Sequence, residues 1–296
     1  MADFILTSDW HLRESTPRCR TDDFWEAQWK KVQFVSALQA EHECPVLHSG
    51  DLFHHWKPSP HLLTTAIEKL PNDFFTIYGQ HDLPQHNWEL RYKSGIHTLE
   101  RAGRITVIES HEYVELPAGG PTIGIEGCSW KQEPHLPDCS ILLWHKMVWQ
   151  GKRLWPGQTD PSAVAILKKY KDYDLILTGD NHKPFVEEYQ GRLLVNPGSL
   201  MRQSASQVDH LPRVYLYYGD TNTVEPVYIP IESDVVSRAH LERSEERDNR
   251  ISAFIEKIKG DWDTELDFEA NLEKFFKTHD ISDPVKEICN KALDHE

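Results

Sequence analysis

The sequence predicts an α/β fold in which two β-sheets pack face to face and helices cover their outer surfaces. Three observations predict it. Strand-like apolar runs recur in both halves of the first 230 residues, with helix-periodic stretches between them. Five of these runs lead directly into carboxylates, imidazoles or an amide. Phe4-Ile5-Leu6 precedes Asp9-Trp10-His11, Pro45-Val46-Leu47 precedes Gly50-Asp51, and Phe74-Phe75-Thr76-Ile77-Tyr78 precedes Gly79-Gln80-His81-Asp82. Ile141-Leu142-Leu143 precedes His145, and Leu175-Ile176-Leu177 precedes Gly179-Asp180-Asn181-His182. Finally, 296 residues with 39% hydrophobic content suffice for one large core, with or without a small annex.

In chain order, the first strand gives way to a helix over 21–40, marked by Phe24, Ala27, Val32, Phe34, Val35 and Leu38. Helices follow at 59–70, opened by Ser59-Pro60, and at 88–102. Strands are expected at 105–108, 113–116 and 123–125, then a helix at 161–171 opened by Asp160-Pro161. Further strands are expected near 175–178, 185–189, 192–195, 213–218 and 224–229, with a tight turn at Asn196-Pro197-Gly198. Composition shifts near Glu232, so the expected domains are 1–232 and a helical segment 233–296. That segment carries apolar stripes at Ile251, Phe254, Ile255 and Ile258, at Leu272, Phe275 and Phe276, and at Val285, Ile288, Cys289, Ala292 and Leu293.

The net charge of −15 argues against a passive nucleic-acid binder, which would carry a basic surface. It does not exclude an enzyme that meets phosphate through bound cations. The pairs Lys30-Lys31, Lys152-Arg153 and Lys168-Lys169 read as solvated surface features. No run of about 18 apolar residues is present, so no membrane span is expected. The opening Met1-Ala2-Asp3 lacks a signal-peptide pattern, and the five cysteines are odd in number with no Cys-x-x-Cys spacing. Reduced thiols and a cytoplasmic location are the expectation.

The residues at the strand ends suit a site for two divalent cations, which would serve phosphate-ester chemistry. Asp9 and His11 lie two apart and can reach one metal. Asp51 can bridge two cations, Gln80 offers an amide oxygen, His145 and His182 offer imidazoles, and Asp180 adds a carboxylate. Oxygen and nitrogen donors without cysteine favour manganese, iron, magnesium or zinc. His81 could give a proton to the leaving oxygen, with Asp82 orienting its ring. Trp10, Trp56, Trp144, Trp149 and Trp155 fall in or near these loops and could stack bases or pack beneath them. His54, His55, His86 and Arg202 are candidate phosphate contacts.

On these motifs the chain resembles the calcineurin-like metallophosphoesterases, and within them the SbcD-type DNA repair nucleases, especially bacteriophage versions. Gly50-Asp51-Leu52-Phe53-His54 and Asn196-Pro197-Gly198-Ser199 carry the narrower likeness, which covers roughly residues 3–230. The resemblance implies a four-layer α/β/β/α sandwich with a small C-terminal helical annex. It implies one metal on Asp9, His11, Asp51 and His182, a second on Asp51, Gln80, His145 and Asp180, and His81 as catalytic acid. It further implies manganese-dependent (or magnesium-dependent) exonuclease and endonuclease cleavage of DNA, an SMC-like coiled-coil ATPase partner and a homodimer. Two positions depart from the pattern: Gln80 stands for the usual Asn, and Asp180 for the usual first His of the paired motif. The 233–296 segment is too short for both a DNA-capping domain and an ATPase-docking helix, and docking is the expected role. Alternatives are a phosphoesterase acting on nucleotides, cyclic nucleotides or phosphoproteins, and a catalytically weakened DNA-end tether.

Overall fold

A computed structural model of the chain describes residues 1–109, 113–116, 122–134, 139–260 and 268–293. These form two compact units, Met1–Ser237 and Arg238–Glu296. The first holds two six-stranded sheets. One comprises β1 (Phe4–Thr7), β2 (Val46–His48), β3 (Phe74–Thr76), β4 (Thr106–Val107), β11 (Arg213–Tyr218) and β12 (Thr223–Tyr228), in the order β12-β11-β1-β2-β3-β4. The other comprises β5 (Tyr113–Leu116), β6 (Ile123–Cys128), β7 (Ile141–Trp144), β8 (Leu175–Thr178), β9 (Phe185–Tyr189) and β10 (Arg192–Asn196), in the order β5-β6-β7-β8-β10-β9. Both are mixed: the central pairs are parallel, and β1–β11, β11–β12, β5–β6 and β9–β10 are antiparallel.

Strand alternation sorts the side chains into three apolar layers. Phe4, Leu6 and Leu47 of the first sheet meet Ile141, Leu143, Leu175 and Leu177 of the second. On the outer face of the first sheet, Ile5, Val46 and Phe74 pack with helices α1 (Phe24–His42), α2 (Pro60–Lys69) and α3 (Gly95–Arg101). On the outer face of the second, Leu142, Trp144 and Ile176 pack with α4 (Ala163–Lys169). The result is the expected α/β/β/α sandwich. Each fully buried side chain of this kind contributes about 1.5–3 kcal/mol.

Local chemistry sets the helix ends. Asp23 caps α1 by accepting from Glu26 N, and Ser59 caps α2 by accepting from Leu62 N, with Pro60 in the first turn. Two expected helices are shorter than their periodicity suggests. The 88–102 stretch is a 3-10 turn over Trp88–Lys93 followed by α3, because Ser94 is extended and its hydroxyl caps the new helix at His97 N. The 161–171 helix starts later, because Ser162 rather than Asp160 supplies the cap, accepting from Ala165 N. The second unit contains α5 (Ala239–Gly260), α6 (Phe268–Thr278) and α7 (Asp283–Leu293). In α6, Leu272 and Phe275 are buried, whereas Val285 and Ile288 of α7 are exposed. The side chains of Phe254, Ile255, Ile258, Ala292 and Leu293 lie outside the described residues. None of the five cysteines is in a disulfide, and no described helix is long and apolar enough to cross a membrane.

His48 ends β2 fully buried between Trp10 and Phe74, at 5.7 and 5.4 Å between ring centroids. Its Nδ1 lies 2.8 Å from Thr76 Oγ1, and its Nε2 has no partner. Burial lowers its pKa to about 3, with His145 adding to the fall. The folded ring therefore refuses a proton that the unfolded ring accepts below pH 6.5. Stability from this group is complete above pH 6.5 and declines as pH falls toward 3, by about 1.4 kcal/mol per pH unit. Urea unfolding of His48→Leu should show a shallower loss of stability between pH 6.5 and 5 than the parent chain. An equal slope refutes the assignment.

Candidate metal centre

Parallel pairing of β1-β2-β3 in one sheet and β7-β8 in the other sends five loops out from the carboxyl ends of neighbouring strands, the usual place for a ligand crevice in α/β sheets. The loops bring together Asp9, His11, Asp51, Gln80, His145, Asp180 and His182. His11 Nε2 lies 3.0 Å from His182 Nε2, 3.7 Å from Asp51 Oδ2 and 3.9 Å from Asp9 Oδ1. His145 Nδ1 lies 2.6 Å from Ser49 O, which fixes the N–H there and turns Nε2 inward. That Nε2 is 2.6 Å from Gln80 Oε1 and 3.5 Å from Asp51 Oδ2. Gln80 then donates from Nε2 to Asp180 Oδ1 at 2.6 Å, so its amide joins His145 to Asp180.

Asp9 sits between two groupings. It lies within 4.8 Å of His11 and His182 by ligand atoms, and also of Asp51 and His145. Its Oδ2 accepts from Ser8 Oγ at 2.7 Å and its Oδ1 from Asp180 N at 3.1 Å. Asp9, His11, Asp51 and His145 are buried, whereas His182 is exposed and Asp180 is half-buried.

These residues fit a divalent cation. Asp51 Oδ2 is buried and closes no hydrogen bond, although two imidazole nitrogens face it within 3.7 Å. A buried carboxylate oxygen without a donor is costly, and a cation would satisfy it. The donors are carboxylate oxygen, amide oxygen and imidazole nitrogen, a set that suits hard and borderline divalent ions. Protonation responds to the same crowding. Burial opposes ionisation of Asp51, yet His145 and His11 beside it hold its carboxyl below the usual carboxylate range. Burial disfavours charge on His145, but Asp51, with Asp9 and Asp180, overrides it and raises the pKa to about 10. Burial raises Asp9 against His182 and His145, and it lowers His11 well below the usual imidazole value.

The loop backbones are unusual. Asp9, His11, Asp51 and Asp180 adopt positive φ of 50°, 47°, 58° and 74°, a region uncommon for residues other than glycine and concentrated at functional sites. Two glycines make room for the cluster. A methyl on Gly79 would overlap the Asp51 carboxylate, and one on Gly50, whose φ is +94°, would meet His145 Nδ1 at 2.6 Å. The sequence motifs named the residues that these loops bring together, but not their backbone geometry, which only the glycines before Asp51 and Asp180 hint at.

His81 donates its backbone N–H to Asp51 Oδ1 at 2.8 Å, and its Nδ1 lies 2.9 Å from His54 O. That carbonyl fixes the Nδ1 proton and leaves Nε2 free. Asp82 does not orient this ring, contrary to the sequence expectation. Its Oδ2 accepts from Asp51 N at 2.8 Å, Gly79 N at 3.1 Å and Leu52 N at 3.3 Å, and its Oδ1 from Phe53 N at 3.1 Å. The carboxylate points back into the Asp51 turn because four backbone donors converge there. Burial and the Asp51 charge raise its pKa to about 7, against the N–H groups of Phe53 and Gly79.

His54 belongs to the cluster more closely than expected. Its ring stacks on His81 at 5.5 Å, and its ligand nitrogen lies within 4.8 Å of those of His11 and His81. Burial lowers its pKa to about 4, with Arg13 and His81 contributing. His55 and His86 are exposed, and His86 Nδ1 lies 3.0 Å from Gln80 O. Trp10 and Trp144 are buried and pack beneath the loops, Trp56 and Trp149 are half-buried, and Trp155 is 46% exposed. Arg202 is buried and donates to Val208 O and Glu232 O, and it makes no contact with the metal-loop residues among the hydrogen bonds of the described residues.

A profile of the calcineurin-like phosphoesterase superfamily domain matches residues 3–215. Two curated relatives are DNA double-strand break repair proteins Mre11. That of Haloferax volcanii is 28% identical over 234 residues, covering 73% of this chain and 48% of the relative. That of Archaeoglobus fulgidus is 24% identical over 241 residues, covering 71% and 52%. The chain thus spans about half the length of the curated relatives it matches. The crystal structure of TT1561 from Thermus thermophilus is similar at a TM-score of 0.47 and 14% identity, covering 78% of this chain and 100% of that one. The match over residues 3–215 takes in all five strand-end loops and strands β1 to β10, and the chain belongs to the calcineurin-like phosphoesterase superfamily.

Proposed function

We propose that this phosphoesterase is a two-metal-dependent DNA nuclease, acting as exonuclease and endonuclease within a DNA repair or recombination complex. The observation that supports the reading is the gathering of seven oxygen- and nitrogen-bearing residues at the strand ends, joined to the likeness to two DNA double-strand break repair proteins. Asp9, His11, Asp51 and His182 would hold one cation, and Asp51, Gln80, His145 and Asp180 the other. Bound there, divalent cations would polarise the phosphoryl oxygens and offset the charge that builds on them. Gln80 orients His145 and Asp180 toward each other through its two amide atoms. His81, its Nδ1 tied to His54 O, presents Nε2 as the proton donor to the leaving oxygen. Asp82 holds the Asp51 turn and takes no part in proton transfer.

Manganese is the proposed metal, with magnesium as the alternative, because Asp180 adds charge and an oxygen donor where a second imidazole would soften the site. Incubating purified protein with linear duplex DNA, and separately with a chromogenic phosphodiester, tests the reading. Manganese-dependent cleavage of both is expected. Cleavage of the small ester alone selects a small-substrate phosphoesterase, which the net charge of −15 favours. Cleavage of neither selects a DNA-end tether. Highest rate in zinc with none in manganese refutes the metal assignment.

Residues 1–232 are proposed as the nuclease domain and 233–296 as the docking element for an SMC-like coiled-coil ATPase, in a homodimeric assembly. Exposed Val285 and Ile288 on α7 support docking. Deleting 237–296 should abolish binding of the ATPase and spare metal-dependent phosphodiesterase activity. Retained binding removes the assignment.

A further inference from the structure

Apart from the ligand loops, α1, the loop at Arg202 and the segment after β12 enclose a cavity of about 270 Å³. Its walls carry three cations drawn into the protein: Arg20 is 9% exposed, Lys31 7% and Arg202 5%. The sequence reading of Lys30-Lys31 as a solvated pair therefore fails at Lys31, which lies on the inner face of α1. Lys30 stays outside, paired with Glu26 at 3.0 Å. Among the described residues, Asp22 is the carboxylate that pairs with any of the three, through Arg20. Glu232 gives Arg202 only its backbone carbonyl. Three buried cations against one carboxylate leave two positive charges without a partner.

Donors are left over as well. Lys31 Nζ has one protein acceptor, Pro230 O at 3.0 Å, of the three it can serve. Arg20 spends Nε, Nη1 and Nη2 once each, on Asp22 and on Arg202 O. Arg202 spends Nη1 and Nη2 once each. A guanidinium has five N–H groups, so both arginines retain donors. The mutual repulsion is visible at Lys31: burial first, then the fields of Arg202 and Arg20, lower its pKa to about 8.

We propose that this cavity binds a phosphate dianion, either free phosphate or the phosphate of a small monoester. Two guanidinium forks and an ammonium group suit a tetrahedral oxyanion. A phosphate monoester carries about −1.5 to −2 at neutral pH, which balances the surplus. Phe34 and Ile231 line the remaining wall and leave room for an organic body. The site is independent of the nuclease reading, since none of its residues is a proposed metal ligand.

The full chain in EDTA at pH 7, so that the metal cluster contributes nothing, is titrated calorimetrically with inorganic phosphate and with thymidine monophosphate. Thermal unfolding is followed in phosphate and in chloride at equal ionic strength. One site per chain and a higher Tm in phosphate are expected. Lys31→Met should weaken binding about tenfold or more, as loss of one charge-assisted contact implies. If that variant does not fold, Arg202→Lys, which keeps the charge and loses the fork, should weaken binding several-fold. Tighter binding of the nucleotide identifies a monoester ligand, and equal binding identifies the free ion. Phosphate that stabilises no better than chloride overturns the proposal. So does affinity unchanged in the variants that fold.

Discussion

Asp51→Asn is expected to remove metal-dependent phosphoester hydrolysis while leaving the metal-free fold intact. The substitution conserves volume at a fully buried position, so packing is preserved. What it removes is the one negative charge set between His11 Nε2 at 3.7 Å and His145 Nε2 at 3.5 Å. The amide can still accept from His81 N, as Asp51 Oδ1 now does. It cannot supply a charged oxygen toward both ligand groups at once. Turnover should fall by at least about 100-fold, since loss of an outer-shell partner alone costs 10–100-fold. Calorimetric titration with manganese should lose at least one of two binding events. In EDTA, the variant should still fold but melt below the parent temperature, because the Asp51 charge that offsets the buried His145 imidazolium is gone. A variant that binds two ions and turns over normally would show that Asp51 is not shared between them.

Much of this arrangement was legible in the amino-acid order, for a reason that can be stated residue by residue. Runs such as Leu175-Ile176-Leu177 are buried on both faces, so they read as continuous apolar strands, and a polar ligand must wait until the strand ends. Asp180 and His182 follow at once, which made the site visible as punctuation. Asp82 was not legible. Three of its four donors lie on Asp51, Leu52 and Phe53, about thirty positions earlier, and the parallel register of β2 and β3 brings them to it. Adjacency to His81 suggested a ring partner, but the ring's nearest acceptor is the carbonyl of His54. Lys31 was equally opaque, because a Lys-Lys pair on a helix splits between outer and inner faces according to what the helix packs on. Ser94 ended one helical pattern and began another within a periodicity that looks unbroken.

Asp82→Asn discriminates between those two assignments. If the carboxylate secures the Asp51 turn, the isosteric amide turns two N–H groups toward backbone donors that now meet oxygens. Charge-assisted hydrogen bonds contribute about 1.5–3 kcal/mol each, and at least one is replaced by donor against donor. A loss of about 2–4 kcal/mol is expected, measured by urea unfolding, with a Tm lower by about 2–4 °C per kcal/mol. Activity should fall in parallel, because Gly79 N and Asp51 N lose the common acceptor that holds the two ligand loops together. Raising manganese should recover part of it, since the ion can pull a loosened Asp51 back into place. An Asp82 that worked through the His81 ring would behave otherwise: stability would hold, the pH profile of kcat would shift, and excess manganese would restore nothing. A variant with parental unfolding and a displaced pH profile would return Asp82 to the proton-transfer machinery and leave the Asp51 turn to be held by Gly79 packing alone.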